Sequence, residues 1–241
     1  MKKLTFIGII IALLGIIAAL CFFKMIPTGK ILAEGYDIRG VDVSSYQGEI
    51  DWAVLSEQGI DFAFIKATEG STYVDERFSD NFMKASETKL LIGAYHFFSY
   101  DSSGESQADN FIRTVPKQKG MIAPVIDLEF YGQYNNSPKK SADVVKEVTA
   151  MADELLKYYG IKPIIYVTQK SYRLYIKDTE LENYSLWIRN VYFKPMFTSE
   201  WAFWQYCDTE ELEGYNGDEE KIDMNVFYGN TDDLKNYTIK E

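Results

Sequence analysis

The stretch Val125-Ile126-Asp127-Leu128-Glu129 places two carboxylates one residue apart at the end of an apolar run. Side chains at positions i and i+2 of a strand point to the same face, with Cα atoms about 7 Å apart. We therefore expect Asp127 and Glu129 to face one space, where mutual repulsion and burial raise the pKa of one of them. Such a pair supplies one proton donor and one anion.

The spacing alone is not specific, because Asp-x-Glu also occurs at 178–180, 208–210 and 218–220. Those three copies lie in polar surroundings, where the charged residues of a solvated loop are the simpler interpretation. The copy at 127–129 follows the apolar segment 121–126. It is the copy for which we predict a functional role.

The N-terminal part differs in composition from the rest of the chain. Lys2 and Lys3 precede an almost unbroken apolar stretch at 4–23. A stretch of this length can span a bilayer as a helix, whereas a cleaved signal peptide has a shorter apolar region and a small-residue cleavage site. We predict an uncleaved cytoplasmic stub and transmembrane signal-anchor at 1–27, a short linker at 28–36 and one catalytic domain at 37–241.

The two lysines predict the orientation of this anchor. Positive charge stays on the cytoplasmic side, so we expect the catalytic domain on the extracytoplasmic face of the cell membrane. If the N-terminal segment is cleaved, the domain would be secreted.

The composition excludes several classes of protein. The chain is 46% hydrophobic, enough for a large core, and its net charge of −11 argues against a nucleic-acid partner. Cys21 and Cys207 are the only cysteines, and His96 is the only histidine. A disulfide framework and a multi-histidine metal site are therefore excluded, and we expect no cofactor. We interpret His96 as a hydrogen-bonded core residue.

Short apolar segments alternate with helix-like segments from residue 36 onward, without a long linker. Eight of them are candidate strands, at 40–43, 62–67, 91–97, 123–128, 163–168, 185–188, 202–205 and 221–224. Eight strands in one domain favour a barrel.

One helix is clearly indicated between the fourth and fifth candidate strands. Ser137 is its predicted N-cap, Pro138 lies in its first turn, and apolar residues recur with helical spacing until Gly160. A strand on each side makes a β-α-β unit, so we expect parallel pairing. Shorter helices are predicted at 50–58, 76–88, 104–115 and 171–176. Because 189–220 has few helical patterns, the fold class is an α/β modified (β/α) barrel with an irregular second half.

Two further acids lie on the first and last candidate strands. In a parallel barrel, functional groups collect where the strands reach their C-terminal ends. Asp42 ends the first candidate strand and Asp223 lies on the last, and these two strands are neighbours in a closed barrel. Either acid could simply cap a turn. Together with Asp127 and Glu129, they predict one acidic site.

A cluster of four acids has two chemical interpretations. It could bind a hard cation such as calcium. It could also cleave a glycoside, where an acid protonates the leaving oxygen and anions stabilise an oxocarbenium-like charge. Aromatic residues near strand ends could stack on sugar rings, although core packing also explains them. They are Tyr95, Tyr166, Trp187, Trp204 and Tyr206.

Six motifs follow one another along the chain: GVDVSSYQG at 40–48, FIKATEG at 64–70, GAYHF at 93–97, PVIDLE at 124–129, WQY at 204–206 and DMNVF at 223–227. In this order they resemble glycoside hydrolase family 25, the lysozyme-type muramidases of bacteria and phages. The resemblance covers about Gly40 to Phe227. The sequence departs from the family pattern at Arg189-Asn190, where many relatives have small or aromatic residues, and at Cys207, which replaces a common serine.

The resemblance implies a barrel enzyme that hydrolyses the β-1,4 bond between N-acetylmuramic acid and N-acetylglucosamine in peptidoglycan. By motif, Glu129 would be the general acid and then the base, and Asp127 would stabilise the acetamido group or the positively charged intermediate. Asp42 and Asp223 would complete the acidic floor. The positions that would contact the sugar are Tyr95, Tyr166, Trp187, Trp204 and Gln205.

Two other functions remain open at the level of the sequence. One is a non-catalytic peptidoglycan-binding module, and the other is a hydrolase of chitin-like N-acetylglucosamine polymers. The intact Glu129 and Asp127 favour an enzyme. The sequence also leaves open the oligomeric state, and whether an aspartate or the substrate's acetamido group is the nucleophile.

Overall fold

A closed β-barrel forms the centre of the molecule in the computed structural model, which describes residues 2–22, 28–198 and 200–240. The strands are β1 Arg39–Val43, β2 Phe62–Glu69, β3 Tyr73–Val74, β4 Leu91–Phe97, β5 Val125–Leu128, β6 Ile164–Thr168, β7 Leu186–Arg189, β8 Phe203–Glu210 and β9 Ile222–Phe227. Their order is β1-β9-β8-β7-β6-β5-β4-β2-β3, and pairing of β1 with β2 closes the sheet. Every predicted strand is present. Only the short β3, which pairs with β2 as a hairpin, was not predicted.

The last strand runs against the others. Seven strands of the barrel, β1, β2 and β4 to β8, pair in parallel, but β9 is antiparallel to both β1 and β8. The connection at 211–221 is too short for the crossover that a parallel partner requires. The prediction of a parallel barrel is therefore wrong for this strand. As a result, Asp223 lies at the start of β9, level with the C-terminal ends of the parallel strands.

Helices and short turns of helix connect the strands. The α-helices are α1 Lys2–Phe22, α2 Gly29–Ala33, α3 Trp52–Ser56, α4 Phe78–Ser86, α5 Gly104–Thr114, α6 Ser141–Tyr159, α7 Gln169–Ser171 and α8 Thr231–Lys235. A π-helix at Tyr172–Ile176 follows α7, and 3-10 helices lie at Ser45–Gln47, Gly132–Asn135 and Glu180–Asn183. The predicted irregular second half is confirmed, because β7 and β8 are joined without a helix in the described residues.

The long predicted helix forms, but its start differs from the prediction. It begins at Ser141 with Lys140 as N-cap and ends at Gly160, which adopts φ +75°. The predicted N-cap, Ser137, lies in the preceding turn, where its N–H donates to the Gln133 carbonyl at 3.0 Å. The glycine end was predicted correctly because the left-handed conformation favours glycine.

Two apolar layers cover the barrel wall, one on its inner face and one on its outer face. Strand side chains alternate in direction, so Phe62 and Phe64 point into the barrel and pack against Phe203. Side chains on the opposite face pack under the helices, where Val148 and Leu155 of α6 are fully buried. The inner layer fills the barrel below one open end.

The N-terminal region comprises α1 and a segment that packs on the barrel. The side chains of α1 are described at 6–7, 9–17 and 19–20, and residues 1 and 23–27 of the predicted anchor lie outside the described residues. Within the described part of the chain, no helix is long and apolar enough to cross a membrane. The predicted transmembrane helix therefore has no support from the structure.

The segment predicted as a linker, 28–36, contacts the catalytic barrel. The Gly29 N–H donates to the Val191 carbonyl at 3.0 Å, and Ala33 is buried. Lys30 forms an ion pair with Glu210 on β8 at 3.0 Å. These contacts make the segment part of the folded domain.

Candidate active site

A cavity of about 200 Å³ opens at the end of the barrel where the parallel strands finish and β9 begins. It contains all four predicted acids. The side chains that line it are Asp42, Val43, Ser44, Tyr46, Gln47, Lys66, Tyr95, Phe97, Asp127, Glu129, Tyr166, Trp187, Gln205, Glu219 and Asp223.

The period of the strands explains why the acids meet. Asp127 is on β5 and Glu129 follows its last residue, so the two share the inner face, as the i, i+2 spacing predicts. Asp42 on β1 and Asp223 on β9 are direct register partners. Closure of the barrel therefore brings together acids from the two ends of the domain.

Two side-chain amides hold Asp42 and Asp223. The Gln205 Nε2 donates to Asp42 Oδ2 at 2.9 Å and to Asp223 Oδ2 at 3.1 Å. Asn225 Nδ2 donates to the same oxygen of Asp42 at 2.7 Å. Both amides are buried, and their donated hydrogen bonds favour the ionised form of Asp42.

Two aromatic side chains fix the orientation of these amides. The Tyr166 hydroxyl donates to Gln205 Oε1 at 2.9 Å, and Trp187 Nε1 donates to Asn225 Oδ1 at 2.7 Å. With its oxygen occupied, each amide must present its NH₂ group to the carboxylates. Tyr166 and Trp187 therefore position the acids in addition to lining the cavity.

Burial raises the pKa of both register-paired acids, but by different amounts. Burial raises the pKa of Asp42 to about 6, and the hydrogen bonds from Asn225 and Gln205 oppose this rise. Burial, followed by the charge of Asp42, raises the pKa of Asp223 to about 9. At neutral pH this pair therefore holds one proton, which the two carboxyls share.

The pair at 127–129 is also shifted toward the protonated form. Burial, followed by the charge of Glu129, raises the pKa of Asp127 well above its ordinary value. Burial raises the pKa of Glu129, and the positive charge of Arg189 opposes this rise. Asp127 Oδ1 is buried and has no hydrogen-bond partner among the described residues. One carboxyl of the pair can donate a proton, and the other can accept a hydrogen bond from a donor group of a substrate.

Four of the five predicted sugar-contacting residues line the cavity: Tyr95, Tyr166, Trp187 and Gln205. Trp204 does not. It is fully buried on the opposite face of β8, where its Nε1 donates to the Asn190 carbonyl at 2.9 Å. Adjacent residues of a strand point to opposite faces, so Gln205 and Trp204 cannot both face the cavity. The prediction for Trp204 is therefore wrong.

Two polar residues at the site were not predicted from the sequence. Asn225 lies two positions after Asp223 on β9, and Lys66 lies two positions after Phe64 on β2, so strand alternation could have found both. Lys66 Nζ pairs with Glu69 Oε2 at 2.8 Å and lies 5.0 Å from the centre of the Phe97 ring. Its positive charge lies on the wall of an otherwise acidic cavity.

His96 is a core residue, as predicted. It is fully buried, with Nδ1 2.7 Å from Thr68 Oγ1 and Nε2 3.0 Å from Gln107 Oε1. Burial lowers the pKa of His96 to about 4, so it is neutral at pH 7. Among the residues that the structure describes, no group of three or more His, Cys, Asp or Glu side chains is arranged to hold a metal ion. The calcium interpretation gains no support from them.

Comparisons with known proteins agree with this fold. The family model described as Glycosyl hydrolases family 25 matches residues 41–215. The uncharacterized protein YegX of Escherichia coli O6:H1 is 36% identical over 215 residues, which cover 86% of this chain and 76% of YegX. Lysozyme M1 of Streptomyces globisporus is 28% identical over 214 residues, which cover 82% of this chain and 70% of that protein.

A solved structure shows the same barrel. The family 25 glycosyl hydrolase from Bacillus anthracis superposes with a TM-score of 0.79 and is 53% identical, covering 85% of this chain and 94% of that one. The family match and these relatives define a glycoside hydrolase. The chain belongs to glycosyl hydrolase family 25.

Proposed function

We propose that this enzyme hydrolyses the β-1,4 bond between N-acetylmuramic acid and N-acetylglucosamine in peptidoglycan. The observation that carries the proposal is the position of Glu129 beside Asp127 in the cavity, with the pKa of each raised by burial. A raised pKa keeps a carboxyl protonated to higher pH, which suits it to act as a general acid. Relatives named lysozyme and N,O-diacetylmuramidase support this choice of substrate.

The reaction requires a proton for the leaving group. Glu129 donates its proton to the glycosidic oxygen as the bond from the muramic acid C1 to that oxygen breaks, so that the sugar acquires oxocarbenium-like charge. Glu129, now an anion, then removes a proton from the attacking water, and the product is a reducing muramic acid. Asp127 assists by stabilising this positive charge or by orienting the substrate acetamido group.

The remaining cavity residues set the charge and hold the sugar. Gln205 and Asn225 fix the Asp42 carboxylate below the reacting sugar, and the proton that Asp42 and Asp223 share limits repulsion between these acids. Tyr95 lines the wall next to them, and the exposed Tyr46 lies at the rim. These aromatic faces can stack on sugar rings as the glycan strand enters.

Digestion of purified peptidoglycan by the full-length protein tests the proposal through the identity of the new reducing ends. Reducing muramic acid is expected. Reducing glucosamine would indicate a different bond, and cleavage of chitin oligosaccharides at an equal rate would favour the chitin-like alternative. Absence of any product would favour a binding module.

Replacement of Glu129 by Gln tests its role as proton donor. We expect the Glu129→Gln variant to lose at least about 100-fold in turnover, the low end for removal of a general acid. Glu180→Gln is the matched control, because Glu180 is exposed and ends another Asp-x-Glu copy. Turnover within a few-fold of the parent enzyme in Glu129→Gln would reject the assigned role.

We further propose that residues 1–27 anchor the enzyme in the cell membrane with the barrel outside. Lys2 and Lys3 before the apolar stretch 4–23 support this topology. Protein extracted from membranes by detergent but not by alkaline carbonate, and digested by protease added to spheroplasts, would agree with it. Release of a shortened chain into the medium would indicate cleavage and secretion instead.

A further inference from the structure

Arg189 lies above the cavity on the same strand face as Trp187. Both belong to β7, two positions apart, so their side chains point to the inside of the barrel. Trp187 lines the cavity, and Arg189 is one step nearer to the open end. Its register partner on β8 is Gln205, the residue that bridges two of the acids.

The guanidinium group of Arg189 has one strong interaction and remains accessible. Its Nη2 pairs with Asp208 Oδ2 at 2.6 Å, and the Arg189 side chain is 37% exposed. An arginine carries five N–H donors in a planar fork, and this bond uses one of them. The group can therefore receive a second carboxylate from the solvent side.

The positive charge of Arg189 reaches the reaction centre. Burial raises the pKa of Asp42, Glu129 and Asp223, and the charge of Arg189 lowers the pKa of each. A glycan of neutral N-acetylglucosamine units would need no cation at the rim. A muramic acid unit differs from glucosamine by a lactyl ether that ends in a carboxylate or, when a stem peptide is attached, in an amide followed by the peptide's own carboxylates.

We propose that Arg189 is a specificity-determining residue that binds a carboxylate on the muramic acid side of the substrate. Planar, bidentate pairing is the geometry in which arginine recognises carboxylates. The carboxylate is either the free lactyl group of a strand without stem peptides or a carboxylate of the stem peptide. This assignment rests on the muramidase activity proposed above.

Four substrates separate these sources. The first pair consists of glycan strands freed of stem peptides, with the lactyl carboxylate either intact or converted to its neutral methylamide. The second pair consists of strands with stem peptides, with the peptide carboxylates either intact or methylamidated. For the parent enzyme, we expect KM to be at least about tenfold lower for the charged member of one pair, and that pair identifies the source.

The Arg189→Gln variant should abolish this discrimination. We expect its KM on the charged substrate to rise to the value of the neutral one. Any change in kcat should be the same on both substrates, because loss of the Arg189 charge raises the pKa of the cavity acids whichever substrate is bound. Arg189→Lys should restore part of the preference, since lysine keeps the charge but not the fork. Arg173→Gln, at an exposed position on the π-helix, is the matched control and should behave as the parent enzyme.

Asp208→Asn separates recognition from a structural role of the ion pair. This change removes the bond to Asp208 but keeps the guanidinium, so the preference for the charged substrate should persist. An equal loss of the preference for the charged substrate in Asp208→Asn and Arg189→Gln, or an unchanged ratio of the two KM values in Arg189→Gln, would overturn the proposal. Thermal unfolding of each variant verifies that it is folded.

The design distinguishes the failure of this proposal from that of the function on which it rests. If the parent enzyme cleaves all four substrates with the same kcat/KM, the muramidase function stands and carboxylate recognition by Arg189 is rejected. If it releases reducing muramic acid from none of them, the muramidase function itself fails.

Discussion

At the scale of the single residue, Lys66 affects the electrostatics of Asp127 and Glu129, the pair proposed to be catalytic. Its ammonium group is held by Glu69 and lies against Phe97, on the wall of the cavity that contains Asp127 and Glu129. Burial raises the pKa of both acids, and the positive charge of Lys66 opposes the rise in each. Removing that charge must therefore raise both pKa values further.

The Lys66→Met variant should shift the whole pH profile of kcat/KM upward, by up to about one pH unit. The acidic limb moves up because the pair Asp127 and Glu129 loses its first proton only at higher pH. The alkaline limb moves up because the pair keeps its second proton to higher pH. Activity measured between pH 3 and 9 shows both limbs. Lys66→Arg keeps the charge and should leave them in place, and a downward shift in Lys66→Met would contradict the prediction.

The strands could be predicted from the sequence, and their pairing directions only in part. Short apolar runs define each barrel strand, because each has one face in the barrel and the other under the helices. The antiparallel direction of β9 depends on the length of a connection, which strand patterns alone do not contain. The error for Trp204 has a simpler origin, since Gln205 beside it was also placed in the site and only one of the two could face inward.

The acids of the site could be predicted, but the hydrogen bonds that hold them could not. Carboxylates at the ends of apolar runs are conspicuous, because burial of a charge is costly without a function or a partner. Asn225 and Gln205 are uncharged, and their contacts with Asp42 form only after the barrel closes. Strand alternation indicates the face on which each amide lies, but not the carboxylate to which it donates.

Helix packing beside the barrel depends on one glycine. Gly104 begins α5 so close to α6 that a Cβ atom would lie 1.9 Å from the Glu147 carbonyl oxygen and 2.8 Å from the Met151 nitrogen. Both are backbone atoms, which cannot move without displacing the helix. The sequence GESQ at the start of a helix does not reveal this contact.

Gly104→Ala should lower the free energy of unfolding by about 1–3 kcal/mol, as expected for overpacking between rigid elements. Urea unfolding at pH 7 measures the change. Gly35→Ala is the control, because no atom lies within 4 Å of its added Cβ, and it should change stability little. Equal stabilities of the two variants would show that α5 and α6 separate without cost.

At the scale of the whole molecule, closure of the barrel creates the site. Asn225 donates to Asp42 across 183 residues of sequence, and Gln205 does so across 163. No single helix or strand carries a complete set of catalytic groups. A functional site therefore requires the folded domain from β1 to β9.

The net charge of −11 governs how the whole enzyme approaches its substrate. Many bacterial walls carry anionic polymers, which repel an acidic protein over roughly the Debye length of about 30 Å at 10 mM salt and about 10 Å at 100 mM. The rate of wall digestion should therefore rise several-fold between these salt concentrations, because screening removes the long-range repulsion. The measurement is the initial release of reducing ends by the full-length protein in detergent.

Walls stripped of their anionic polymers are the matched control. They contain the same glycan, which makes the same contacts in the cavity, so their digestion should show little salt dependence. A rate that falls with salt on intact walls would mean that local attraction, such as that of Arg189 and Lys66 for the substrate, outweighs the repulsion between the enzyme and the wall.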